Sequence, residues 1–354
     1  MSKKIVGIFL SVAIMLTIVS VPALAVSIPP QESTVSSAGR SEIISVLQCI
    51  EDDKTAFGLD GVDFCNLQIG NTLHAYEYVN NNFEDLYSAV PILYNDSLIA
   101  LAIKVDGTRY QISSALALKL ANVVDSNIAL VYDSKGVYCF TGTDFVLLAE
   151  SGTIVSSRSD LDEYTSTPYK SMMNLCDLSK VEALGYSSAL DSRSYTNAAL
   201  PVGFVPQGAN TRICWAATIA CINNYVHKTN LTAKDVAVKK FGSSNYNQGL
   251  DMPSCASFMQ SAYNLDYTYK RQVPDENVIF SDLSNGYPIF GHFTWSSGSH
   301  GVTIYGINIR AGYISVMDPE FGAATASYSL DGYTYISDYS GVKLTLLNAI
   351  CHGW

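Results

Sequence analysis

The sequence predicts an α+β chain built as two folded parts, and three observations carry that reading. The first part alternates short apolar runs with Asn-, Asp- and Gly-containing turns around one helical stretch. The second part places its helical runs first and its strand-like runs last. Between them, residues 150–198 turn polar and rich in Ser, Asp and Tyr, as suits an exposed linker. Hydrophobic residues make up 48% of the 354 and charged residues only 15%, so both parts have enough apolar surface to bury a core.

In chain order, Lys3 and Lys4, the apolar run Ile5 to Val19 and the small-residue site Ala23-Leu24-Ala25 read as a secretory signal over 1–25. No Cys follows that site, so a lipid anchor is not indicated. Residues 26–40 read as a loose leader. Strands are expected at Tyr76 to Tyr78 and Val90 to Tyr94, and the apolar stretch Leu98 to Val105 follows the turn Asn95-Asp96. A helical run follows, with Ser113 as its cap, and then strands at Ile128 to Tyr132, Val137 to Thr141 and Phe145 to Ala149. From Ala199 on, helices are expected at Ile213 to Tyr225, at Thr232 to Phe241 with Thr232 as cap and Gly242 as stop, at Pro253 to Tyr263, and at Asp275 to Leu283. Strands close the chain at Pro288 to Trp295, Gly301 to Ile309, Tyr313 to Met317 and Ala324 to Leu330.

Charge and cysteine usage narrow the function. The net charge is −11, and from residue 199 on there are nine Lys or Arg against ten Asp or Glu, so the acidity sits in the first half. A basic nucleic-acid footprint is absent. After signal removal no run is apolar and long enough to span a bilayer, so an exported product with no membrane partner is expected, secreted and extracellular. The eight cysteines are scattered, without Cys-x-x-Cys or zinc-ligand spacing. They read mostly as small buried apolar residues, and neither metal nor organic cofactor is implied.

One cysteine stands apart. Gln207 lies seven residues ahead of Cys214, which opens the apolar helical run Cys214-Trp215-Ala216-Ala217. A thiol in the first turn of a helix is made more acidic by the helix dipole and the open backbone N–H groups. A Gln just upstream is placed to give its amide to an oxyanion, beside the Cys214 N–H. Downstream, Gly298-Ser299-His300-Gly301 supplies a base at the mouth of an apolar strand, and Asp318-Pro319 follows one hairpin later to orient it. His292 is the rival base, eight residues earlier within a strand. Trp295 is either a wall of the cleft or an ordinary strand aromatic.

Gln207, Cys214-Trp215-Ala216-Ala217, His300-Gly301 and Asp318-Pro319 together resemble the papain-like cysteine peptidases over about residues 200–350. The branch they are most similar to is the short bacterial one of bacteriocin-leader-processing and staphopain-like enzymes, where Asp stands in place of the more usual Asn. Pro91-Ile92-Leu93-Tyr94 and its surrounding strands resemble, more loosely, the pro-segments of streptopain-like peptidases. The resemblance implies a papain-like domain of N-terminal helices and C-terminal antiparallel sheet over 199–354. It also implies an α+β pro-domain over 26–150 as intramolecular inhibitor, and a linker over 151–198 holding the activation site. It makes Cys214 the nucleophile, His300 the base, Asp318 its orienter and Gln207 the oxyanion donor of a secreted endopeptidase zymogen acting on proteins or peptides. A non-catalytic binding or inhibitory protein on the same scaffold is the alternative.

Overall fold

The computed structural model describes residues 35–123, 127–153, 155, 157–161, 172–187, 197–329 and 332–354. The signal segment expected over 1–25 lies outside them, as do 154, 156, 162–171 and 188–196 of the expected linker.

The first part opens with helix α1 (Ser37–Ile50), whose cap Ser36 accepts the Gly39 N–H at 3.1 Å. Ile43, Val46, Leu47 and Ile50 form its buried stripe at helical spacing. The leader expected over 26–40 therefore ends in a helix, because its Ser and Gly are the cap and first turn rather than loop. Five strands follow: β1 (Gln68–Gly70), β2 (Leu73–Val79), β3 (Asn82–Tyr94), β4 (Ser97–Asp106) and β5 (Arg109–Ser113). Asn95 and Asp96, both at positive φ, make the tight β3–β4 turn that favours right-twisted hairpins. Helix α2 (Ala115–Leu120) starts later than expected. Ser113 ends β5, with its hydroxyl turned to Asp338, and Ser114 makes no capping bond. Then come β6 (Asn127–Tyr132), β7 (Gly136–Phe140), β8 (Phe145–Glu150), β9 (Cys176–Asp177), β10 (Val181–Ala183) and β11 (Asn197–Ala199). Strands β2 to β5 form an antiparallel meander, β6 runs parallel to β2, and β7 and β8 extend from it. Two strands within the expected linker are tied into this sheet, β9 on β6 and β10 on β1. Polar composition hid them, because each is only two or three residues long.

The second part has helices α3 (Cys214–His227), α4 (Ala233–Phe241), α5 (Met252–Tyr263), the short strand β12 (Thr268–Lys270) and α6 (Glu276–Ser284). Thr232 and Asp235 form a reciprocal capping box on α4, and Gly242 ends it at positive φ. Six strands follow: β13 (Ile289–Trp295), β14 (Gly298–Asn308), β15 (Tyr313–Asp318), β16 (Gly322–Ser329), β17 (Gly332–Ile336) and β18 (Lys343–Cys351). Each pairs antiparallel with the next, and β18 returns to β13, so the six close on themselves. The last two strands have no counterpart in the sequence reading.

The two parts share one apolar core. Val46 and Ile92 of the first belong to the same buried cluster as Trp215, Ile219, Phe290 and Ile304 of the second. The Ser113–Ala324 pair joins the two sheets, and Gln111 holds both the N–H and the C=O of Ile336 at 2.6 and 2.7 Å. Helix α3 packs on β14 and β13, which sets the helix start against the strand mouth. No helix among the described residues is long and apolar enough to cross a membrane.

Candidate active site

Helix α3 begins at Cys214 without a side-chain cap, since Ile213 at the capping position offers no acceptor. The Ala216 N–H turns back to the Ile213 carbonyl at 3.0 Å, while the N–H groups of Trp215 and of Gly301, on the facing strand, favour the charged form of the Cys214 sulfur. Residues 215–223 are all buried, so the start of the helix is fixed by packing. The Trp215 indole donates to the Gln248 carbonyl at 2.8 Å and meets Phe241 and Phe258 edge-on. Gly301 is needed where it stands, because a Cβ there would lie 2.9 Å from the Phe290 ring.

His300, near the start of β14, is buried, and its Nε2 lies 2.8 Å from Asp318 Oδ1. The β14–β15 register pairs Thr303 with Met317 and so carries Asp318 back to the His300 end of the hairpin. Asp318 is fully buried and accepts two further bonds, from the Glu320 N–H at 2.8 Å and the Tyr335 hydroxyl at 2.5 Å. With Nε2 on Asp318, Nδ1 is the ring atom left to face the Cys214 sulfur, which lines the same cleft.

The electrostatics of this pair run against its burial. Desolvation alone would raise the Cys214 thiol, yet its bond and attraction to His300, with the Gly301 and Trp215 N–H groups, hold it below the ordinary thiol value. Desolvation alone would lower His300, but the Asp318 charge and hydrogen bond, joined by Cys214, lift it well above the ordinary imidazole value. A lowered thiol beside a raised imidazole is the signature of a thiolate–imidazolium pair. Buried cysteines elsewhere go the other way: desolvation pushes Cys176 to about 12 and Cys221 to about 11.

Gln207 is buried and anchored by its N–H on the Pro319 carbonyl at 2.9 Å, one residue from Asp318. Its Oε1 has no partner among the described residues. Gln207, Cys214 and His300 border one cleft of about 760 Å³, which His292, Trp295 and Asn348 also line. All four residues singled out from the sequence thus meet in one place. The rival base His292 faces Gly301 across β13–β14, and its Nδ1 contacts Asn348 Oδ1 at 3.1 Å. Burial pushes it below its ordinary value, the opposite direction from His300.

Sequence reasoning missed Tyr335, Asn348 and Glu320. The first two sit on the unread strands β17 and β18. It missed as well that Gly152 and Thr153, from the first part, line this cleft. His300, Asp318 and Glu320 place atoms within 4.8 Å of one another, close enough to hold a metal ion, but His300 and Asp318 bond each other and the Glu320 carboxylate accepts from Thr153 and Ser337.

A search of curated proteins returned no match. Residues 196–337, which contain every one of the four residues and the hairpin that joins them, match the family model described as papain-like cysteine protease AvrRpt2. Over residues 196–337, therefore, the chain is similar to the papain-like cysteine proteases, and that match supports a cysteine-type peptidase.

Proposed function

We propose that the protein is a secreted endopeptidase made as a zymogen, with Cys214 as nucleophile, His300 as base, Asp318 as its orienter and Gln207 as oxyanion donor. The observation that carries this is the Cys214–His300–Asp318 chain at the mouth of the cleft. In this reading the Cys214 thiolate attacks a peptide carbonyl, and the oxyanion takes hydrogen bonds from the Cys214 N–H and the Gln207 amide. The His300 imidazolium gives its proton to the departing amine, leaving a thioester on Cys214. His300 then takes a proton from water, which attacks the thioester and returns the thiolate. Asp318 holds Nε2 throughout, so that Nδ1 stays on the sulfur.

The first part acts as inhibitor in this proposal, and its release follows cutting within 151–198. Support comes from Gly152 and Thr153 in the cleft wall. The non-catalytic scaffold has no observation of its own. The test is intact mass over time for residues 26–354 and for Cys214→Ala. A parent that trims to a stable C-terminal fragment, singly labelled by a thiol-directed epoxide, while the variant stays whole, is the expected result. A parent that stays whole and unlabelled after nicking with an added protease refutes it.

A further inference from the structure

The strand β8 ends at Glu150, and the next three residues run into the cleft wall. The Glu320 carboxylate gathers them. Oε1 accepts the Ser151 hydroxyl at 3.0 Å, the Gly152 N–H at 2.5 Å and the Thr153 N–H at 2.9 Å, and Oε2 accepts the Thr153 hydroxyl at 2.9 Å. Within the second part the only further bond to this carboxylate among the described residues is from the Ser337 hydroxyl, at 3.0 Å. Two successive N–H groups turned onto one carboxylate form an anion-binding nest, and bonds to a charged acceptor are the strong kind. Ser151 and Thr153 are buried here although the sequence around them is polar.

The position of this grip matters more than its strength. Glu320 is the residue whose own N–H holds Asp318, and Gln207 is tied by its N–H to Pro319 between them. Gly152 lies against the Gln207 amide so closely that a Cβ on it would sit 2.5 Å from Nε2. A side chain at 152 would have to displace the Gln207 amide, so glycine lets the segment lie flat on it while its N–H reaches Glu320.

We propose that Glu320 is a peptide-binding subsite next to the oxyanion donor, taking a glycine flanked by hydroxyl-bearing residues, and that Ser151-Gly152-Thr153 fills it in cis. This rests on the zymogen reading and names the contact that closes the cleft. When the first part leaves, Glu320 keeps Ser337 alone and presents a carboxylate to incoming chain. Substrates with Ser or Thr beside Gly then meet the same acceptor that held the chain's own segment.

The experiment uses the full chain and follows labelling of Cys214 by a peptidyl epoxide, with intact iodoacetamide labelling as the small-reagent control. Two variants loosen the grip by different routes: Ser151→Ala with Thr153→Val removes the hydroxyl donors, and Gly152→Val forces the segment off Gln207. Each is expected to speed epoxide labelling about tenfold or more, the factor that loss of one or two such bonds gives, while iodoacetamide labelling changes little. In protease-nicked wild type, a peptide of residues 148–157 is expected to slow the epoxide, and Glu320→Gln to weaken that competition. Variants that label at the parental rate, while the nicked parent labels quickly, overturn the subsite. A nicked parent that does not label overturns the zymogen reading itself, and with it this one. A thermal melt of each variant separates unfolding from release, since an unfolded chain labels every cysteine and not Cys214 alone.

Discussion

Asp318 is where the site's charges balance. It is a fully buried carboxylate whose partners among the described residues are His300, the Glu320 N–H and the Tyr335 hydroxyl, and leaving a buried charge short of a partner costs more than the bond's net contribution. Tyr335→Phe should lower stability by about 1.5–3 kcal/mol and reduce kcat with KM unchanged, read by thermal unfolding and steady-state kinetics. Asp318→Ala should cut kcat/KM by about 10² to 10⁴. Asp318→Asn keeps an acceptor for Nε2 but removes the charge, and its effect is on pH. His300 lies above its ordinary value because of Asp318, so the imidazolium survives until pH rises through that raised value. In Asp318→Asn the basic limb of the kcat/KM profile should therefore move to lower pH. A basic limb that stays in place would show that His300 does not carry the titration.

At the scale of elements, helix α3 and the β14–β15 hairpin make the site, and other elements hold these two in register. Capping illustrates the division. Helix α4 is closed by the Thr232–Asp235 box, whereas α3 begins at Cys214 with no side-chain cap. Thr232→Ala should cost about 1 kcal/mol of stability and leave Cys214 labelling unchanged, measured by melting and alkylation rate. These elements were legible in the sequence to different degrees. Alanine-rich Cys214-Trp215-Ala216-Ala217, the Thr232 cap and the Asn95-Asp96 turn are local signals, and each stands within a residue or two of where it was read. Strands β17 and β18 were not legible. Tyr333 and Tyr335 alternate with Thr334 in a run too short to separate from loop, and β18 owes its place to pairing with β13, a contact that no local pattern encodes. Glu320 beside Asp318-Pro319 carried no local signal, because the segment it binds lies some 170 residues upstream.

Across the whole molecule the two parts are joined by hydrogen bonds as well as core. Asp338, after β17, is buried and takes the Ser113 hydroxyl and the Leu116 N–H from the first part. Tyr132 donates to the Asp338 carbonyl at 2.7 Å, and Arg158 reaches the Ser340 carbonyl while pairing with Glu77. Burial, with Asp318 and Glu320 nearby, pushes Asp338 up to about 7 in spite of those two donors. The folded chain thus holds this proton where the unfolded chain has released it, and the stability so gained is lost as pH rises from about 4, the ordinary carboxylate value, towards 7. Asp338→Asn should flatten that decline, measured by melting temperature against pH. An unchanged slope would place the titration elsewhere.

The proposed activity turns on Cys214 being a thiolate paired with His300, and the rate of its alkylation against pH tests that most directly. Exposed Cys65 in the same chain serves as the internal reference. With iodoacetamide and peptide mapping, Cys214 should react first and stay reactive at pH values where Cys65 has fallen silent, and His300→Ala should return it to ordinary thiol behaviour. If Cys214 instead follows Cys65, or keeps its low-pH reactivity without His300, the pair does not exist and the site is not the nucleophilic centre described.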